Sequence, residues 1–180
     1  MIAGLVLAAG AGTRMGMPKA LVADDSGPWL PRAVSALAEG GCDTVTVVLG
    51  AAVEAAAALV PGVTVVVAED WADGMGSSLR AGLLALDASA EAVVVTLVDL
   101  PDVGAPVIAR LLAQDVDATT LARAAYDGKP GHPVVIGRHH VAGVIAAATG
   151  DKGARDYLAV HDHRLVECGD LATGHDVDAR

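Results

Sequence analysis

The sequence predicts an α/β protein built on a mostly parallel sheet. Three observations carry that reading. Ile2 to Ala9 (IAGLVLAA) is an uncharged apolar run that ends in glycines, as a buried parallel strand does where it enters a tight loop. Further short, β-branched runs at Thr44–Leu49, Val63–Ala68 and Ala92–Val98 are separated by Ala-rich stretches of helical character. Of the 180 residues 53% are hydrophobic and none is Phe, so small aliphatic side chains must fill the core, which suits helices packed closely on a sheet. The length favours a single domain over residues 1–180.

The first strand runs into Gly10-Ala11-Gly12-Thr13-Arg14-Met15-Gly16-Met17-Pro18-Lys19. Glycines at 10, 12 and 16 let the backbone turn sharply and leave its N–H groups uncovered, an arrangement that cradles anions. Arg14 and Lys19 add a forked cation and a point cation. The string is not a P-loop, which needs G-x-x-x-x-G-K-[ST]. Nor is it a dinucleotide fingerprint, because Met15 stands where the third glycine belongs and the next strand ends in Gly50 instead of an acid.

A turn at Asp24–Gly27 leads to a helix over Pro28–Ala38, with Pro31 near its first turn and Gly40-Gly41 as its stop. After the strand at 44–49 comes an Ala-rich helix, Ala51–Leu59, closed by Pro61-Gly62. The strand at 63–68 opens a second glycine loop, Glu69 to Arg80, in which Ser77 or Ser78 caps a helix running to about Leu86. That loop falls on the same carboxyl edge of the sheet as the first.

Ala92–Val98 ends in Asp99-Leu100-Pro101-Asp102. A carboxylate at the end of a buried strand is placed to hold Mg²⁺ against phosphates, so Asp99 is a candidate metal ligand. Pro101 keeps Leu100 out of helical geometry, and Asp102 reads as the cap of a helix at Pro106–Ala113. Thr119–Ala125 is a strand, 126–133 a turn-rich excursion, and Pro133–Ile136 another strand. His132 is either a surface turn residue or a substrate contact. His139 and His140 read as helix-start residues rather than a zinc site. Gly150–Arg155 is a charged glycine loop whose Lys152 and Arg155 either reach a second phosphate or stand in solvent. Arg164–Cys168 is a last strand. In the tail, Asp176 and Asp178 point to one face of an extended segment, and one of them completes a metal site with Asp99 or the tail is simply acidic.

Charge and cysteine content exclude several classes. A formal charge of −10 argues against a nucleic-acid partner, whose binding draws on basic patches. Cys42 and Cys168 form no C-x-x-C pair and are read as packed thiols in a cytoplasmic protein. The apolar start lacks the positive region of a signal peptide, and no run is long enough for a membrane span.

Four segments agree in order and spacing with a known family. LAAGAGTRMGMPK (Leu7–Lys19), GMGSSLRAGL (Gly74–Leu83), VDLPDV (Val98–Val103), and GHPVVI with GDKGAR (Gly131–Ile136, Gly150–Arg155) resemble the MobA-like NTP transferases. Within these the chain looks most like the molybdenum cofactor cytidylyltransferase branch. The resemblance implies a three-layer α/β/α, Rossmann-like nucleotidyltransferase fold. It implies that Leu7, Ala8, Ala9, Gly10 and Gly12 hold the nucleotide, with Arg14 and Lys19 on its phosphates. Gly76, Ser77 and Ser78 would help read base and ribose. Asp99 would bind Mg²⁺, with Asp178 as the second carboxylate; the family tail D-I-D-T-P-E-D is represented here by D-V-D-A-R.

The implied reaction is attack by a phosphate oxygen of molybdopterin on the α-phosphorus of CTP, expelling pyrophosphate. Such chemistry asks the protein to position anions and neutralise their repulsion, with no general base or covalent nucleophile. Arg14, Lys19 and Asp99 carry the catalytic load on this reading, Mg²⁺ is the cofactor, and a recipient molybdoenzyme is a possible partner. Two alternatives remain. One keeps the chemistry but uses GTP, or another NTP with another phosphate acceptor. The other is a non-catalytic module that binds and delivers nucleotide or cofactor.

Overall fold

The computed structural model describes residues 1–178. Its elements in chain order are β1 (Ile2–Leu7), β2 (Ala23–Asp24), β3 (Gly27–Pro28), α1 (Trp29–Glu39), β4 (Thr44–Leu49), α2 (Val53–Ala57) and β5 (Thr64–Val67). They continue with α3 (Met75–Leu84), β6 (Ala92–Leu97), α4 (Ala105–Leu112), β7 (Leu121–Tyr126), β8 (Lys129–Gly137), α5 (Arg138–Ala147), α6 (Arg155–Val160) and β9 (Arg164–Glu167).

The main sheet has seven strands in the order β5-β4-β1-β6-β8-β7-β9. β1 pairs in parallel with both β4 and β6, β4 with β5, and β7 with β9. β8 alone runs against its neighbours β6 and β7. The sheet is therefore mostly parallel, as the uncharged strands predict. Its two faces are both covered. Leu30 and Leu37 of α1, Ala56 of α2 and Ile108 and Leu111 of α4 bury on one side. Leu79 and Leu83 of α3, Val141 and Val144 of α5 and Leu158 of α6 bury on the other. This is a three-layer α/β/α architecture of Rossmann-like type.

Small residues set the layer spacing. A Cβ on Gly82 would come within 2.6 Å of Leu5 Cδ2, so α3 approaches β1 as closely as a bare backbone allows. Filling that space would cost about 1–3 kcal/mol by overpacking.

The chain order makes β1 the start of one branch of the sheet and β6 the start of the other. Loops leaving these adjacent strands diverge, and a crevice opens between their carboxyl ends, where α/β sheets bind ligands.

Several local expectations are corrected. The helix expected at 51–59 is shortened to Val53–Ala57, because Ala52 takes a left-handed conformation (φ 55°) that helix geometry excludes. Ser77 and Ser78 do not cap α3. The helix starts already at Met75, Gly74 fills the cap position at φ 116°, and both serines bury in the first turns. Asp102 does not cap α4, whose cap position is Gly104. It accepts from the backbone N and Oγ1 of Thr173, each at 2.6 Å, and so pins the C-terminal tail. The excursion at 126–133 is a tight hairpin: β8 starts at Lys129 and continues through Pro130 and Pro133. Those prolines are tolerated because β6 pairs only with Val134–Gly137, so their missing donors break no bond on that side.

Candidate active site

The glycine loop is held at both ends. Ala8 N donates to Val48 O at 2.9 Å and Ala51 N to Ala9 O at 3.0 Å, so the loop continues the ladder beyond β1 before it turns. Gly12 sits at φ 60°, and a Cβ there would lie 2.0 Å from Met17 O; only glycine lets the loop fold back on itself. Pro18 then leads into a short 3₁₀ turn, Lys19–Leu21, anchored by the fully buried Ala20 and Val22. That anchoring fixes the direction in which Lys19 leaves the backbone.

Opposite, β6 ends at Leu97 and delivers Asp99 to the same crevice. The tail supplies the third side. With Thr173 pinned to Asp102, the chain runs back until Val177 N donates to Asp99 O at 3.0 Å. Asp176 and Asp178 are thereby brought beside Asp99, and one carboxylate oxygen from each of the three lies within 4.8 Å of the others.

Lys19 stands among them. Its Nζ donates to Asp99 Oδ2 at 2.5 Å and to Asp178 Oδ1 at 2.6 Å. Arg14 Nη1 reaches Asp178 Oδ2 at 3.3 Å. Burial pulls the Lys19 ammonium down, but bonds and charges from Asp178 and Asp99 outweigh it and hold the pKa above its ordinary value. Burial drives Asp99 up, and Lys19 only partly opposes this. Lys19 pulls Asp178 below the usual carboxylate range. Asp99 Oδ1 is buried and has no hydrogen-bond partner among the described residues.

This donor set fits a hard divalent cation. Three carboxylates against the two cations Lys19 and Arg14 leave −3 + 2 = −1 at the centre. An unpartnered buried carboxylate oxygen is costly unless something positive meets it. Oxygen-only donors are what Mg²⁺-like ions take.

The crevice around this cluster holds about 430 Å³. Of the residues singled out from sequence, Leu7, Ala8, Ala9, Gly10, Arg14, Lys19, Ser78, Asp99 and Asp178 line it. Gly12, Gly76 and Ser77 do not. Gly12 faces Met17, and a Cβ on Gly76 would lie 2.8 Å from Thr149 N, so Gly76 packs α3 against the 148–150 backbone. Ser77 buries beside it. Lys152 pairs with Asp156 at 2.9 Å, and Arg155 Nε lies 4.0 Å from Asp156, so these cations are engaged with a carboxylate on α6. His139 and His140 lie in the first turn of α5, and His140 is bonded to Tyr157 and to Thr119 O. Sequence reasoning missed Trp71, Met75 and Asp151 as lining residues. Trp71 is seated by packing: a Cβ on Gly50, just after β4, would fall 2.3 Å from its ring.

Comparison with known proteins places the chain in one family. Residues 4–165 match the model of the MobA-like NTP transferase domain. Nicotine blue oxidoreductase of Paenarthrobacter nicotinovorans is 38% identical, over 98% of this chain and 92% of its own length. The crystal structure of Rv0371c from Mycobacterium tuberculosis H37Rv superposes with a TM-score of 0.82 at 29% identity, covering 99% of this chain and 93% of that one. A complex of the same protein with manganese superposes with a TM-score of 0.79 at 29% identity, covering 98% and 93%.

Proposed function

The chain belongs to the MobA-like NTP transferase family, and from that premise we propose that it moves CMP from CTP onto the phosphate of molybdopterin, releasing pyrophosphate. The observation that carries the reading is the bridge from Lys19 Nζ to Asp99 and Asp178, with the unpartnered Asp99 Oδ1 beside it, where the two branches of the sheet part. Residues 1–180 would act as one nucleotidyltransferase domain in the cytoplasm.

In this mechanism the loop Ala8 to Gly12 receives the triphosphate on its backbone N–H groups beyond Ala8, whose own N–H stays in the ladder to Val48, and Arg14 and Lys19 spread their charge over its oxygens. Asp99 and Asp178, with Asp176 at the rim, would hold Mg²⁺, which when bound neutralises phosphate charge as a Lewis acid. The manganese complex of the Rv0371c protein supports a divalent ion in this class of site. Ser78 faces the nucleotide from α3. An acceptor phosphate oxygen forms the new bond to the α-phosphorus as the bond from that phosphorus to the pyrophosphate oxygen breaks. The phosphate nucleophile is already ionised at neutral pH, so no side chain need take a proton. Positioning and charge neutralisation supply the acceleration. The cytidine choice rests on the Gly74–Leu83 string and the acceptor on the overall resemblance. A molybdoenzyme would receive the product.

The test is pyrophosphate release with each of the four NTPs and Mg²⁺, with and without molybdopterin. The reading expects release with CTP only when the acceptor is present. Consumption of GTP and not CTP would move the assignment to the guanylyl branch. Tight CTP binding with no pyrophosphate under any condition would make the chain a delivery module. A second reading follows from the 38% identical relative, whose name is that of an oxidoreductase. Redox turnover of nicotine blue, with no pyrophosphate released from any NTP, would replace the transferase.

A further inference from the structure

β7 is buried at every position except Arg123. Arg123 faces Val134 across the β7–β8 ladder, so it shares the sheet face that α3, α5 and α6 cover. Its Nε donates to Gly131 O at 3.0 Å. Among the described residues it has no other hydrogen bond and no carboxylate within salt-bridge distance. Two other arginines of this chain meet carboxylates. Arg32 meets both oxygens of Asp24, at 2.7 and 2.8 Å, and Arg110 both oxygens of Asp170, at 2.5 and 2.9 Å. Burial lowers the Arg123 pKa from its ordinary value. Nearby His132 is neutral at pH 7, because burial and the charge of Arg123 push its pKa down to about 4.

The direction of the side chain matters. Gly131 lies three residues along β8 from Val134, towards the carboxyl end of β6, so the guanidinium is drawn to the active-site edge of the sheet. Continuing the β6–β8 register sets His132 level with Leu97, which lines the crevice. β7 is two strands from β6, roughly 10 Å at the usual strand spacing. A half-buried fork, whose other four N–H donors have no partner among the described residues, thus stands two strands from β6 on the branch of the sheet opposite the glycine loop. An unpaired, partly desolvated guanidinium is unfavourable within the chain alone, and its planar donors match an oxyanion.

We infer that Arg123 anchors the acceptor, gripping an oxyanion, carboxylate or tetrahedral oxo group, at the end remote from the phosphate that reacts beside Asp99. The inference rests on the transfer reaction for the word acceptor, but the anion site itself stands on Arg123.

The experiment is a residue-resolved NMR titration with inorganic phosphate, repeated with acetate, on wild type, Arg123→Met and Arg123→Lys. Wild type should show saturable shifts at the Gly131 and His132 amides. Arg123→Met should lose them, and Arg123→Lys should bind at least tenfold more weakly for want of the fork. Stronger response to phosphate marks a tetrahedral group, stronger response to acetate a carboxylate. CTP with Mg²⁺ should shift Gly10 and Gly12 equally in all three proteins, which checks the fold and the nucleotide side. In turnover, Arg123→Met should raise the acceptor KM at least tenfold and leave the CTP KM unchanged. Absence of shifts at Gly131 and His132 in wild type, or equal shifts in Arg123→Met, overturns the inference. A protein that releases no pyrophosphate yet passes the titration refutes the transferase and keeps the anion site.

Discussion

Two cations stand at the same edge of the sheet under opposite conditions. Lys19 is crowded by carboxylates, within 2.6 Å of both Asp99 and Asp178. Among the described residues Arg123 meets one carbonyl and no carboxylate. Both side chains are half-buried, and both leave segments otherwise packed with Ala, Val and Leu. The difference lies in which partner each lacks. Around Lys19 the negative charge is in excess, which suits a cation. Around Arg123 no carboxylate among the described residues matches the positive charge, which suits an anion. A reaction between two phosphorylated substrates needs both kinds of place.

The largest expected effect comes from removing the carboxylate that makes the Lys19 side negative. Asp99→Ala should cut turnover by about 10²–10³, the range found when one preorganised electrostatic group is lost from a transfer site. Pyrophosphate release under saturating CTP measures it. Turnover within twofold of wild type would deny Asp99 its proposed role. Asp178→Asn should cost less, because Asp178 is more exposed and Asp176 stands beside it.

Acid titration probes the other side. His132 has an ordinary pKa of 6.5 and a folded value of about 4, so between these the unfolded chain binds more protons than the folded one. Stability is therefore complete above about pH 6.5 and falls as the pH drops towards 4. Linkage at about 1.4 kcal/mol per decade gives a loss on the order of 3 kcal/mol across that window. Urea midpoints at pH 7, 5.5 and 4.5 would show it. His132→Gln should flatten this limb, and Arg123→Met should flatten it in part, since the Arg123 charge is the second cause of the depression. An acid limb identical in His132→Gln would assign it elsewhere.

Much of the Lys19 side was legible in the sequence, and little of the Arg123 side. The strand at Thr44–Leu49 and the helix after Pro28 followed from β-branched runs and from Pro and Gly punctuation. Arg14, Lys19 and Asp99 followed from local strings at the ends of strands. Asp176 and Asp178 remained alternatives, because only the long-range Thr173–Asp102 and Val177–Asp99 bonds bring both to the cluster. Trp71 and Asp151 reach the crevice through packing that no short string encodes. β8 was cut short because its prolines read as a turn, whereas their position beyond the β6 pairing makes them harmless. Arg123 did leave a trace: it is the lone charge in LARAAY, a strand otherwise read as core.

The same substitution at the two cations gives the sharpest contrast. Lys19→Met leaves Asp99 and Asp178 facing each other with Asp176 close by and one oxygen already unpartnered, so stability at pH 7 should fall by about 2 kcal/mol, less than a fully buried pair would lose. Arg123→Met removes a charge with no counter-ion and keeps the apolar stem that packs on the sheet. Its only lost bond is to Gly131 O, worth about 1 kcal/mol, and relief of guanidinium desolvation offsets that. The net change should stay within about 0.5 kcal/mol and can be favourable. Paired urea denaturation of the two variants, without nucleotide or anion, decides the matter. A loss of about 2 kcal/mol or more in Arg123→Met would mean that the guanidinium is already satisfied within the chain, and the two cations would then differ only in degree.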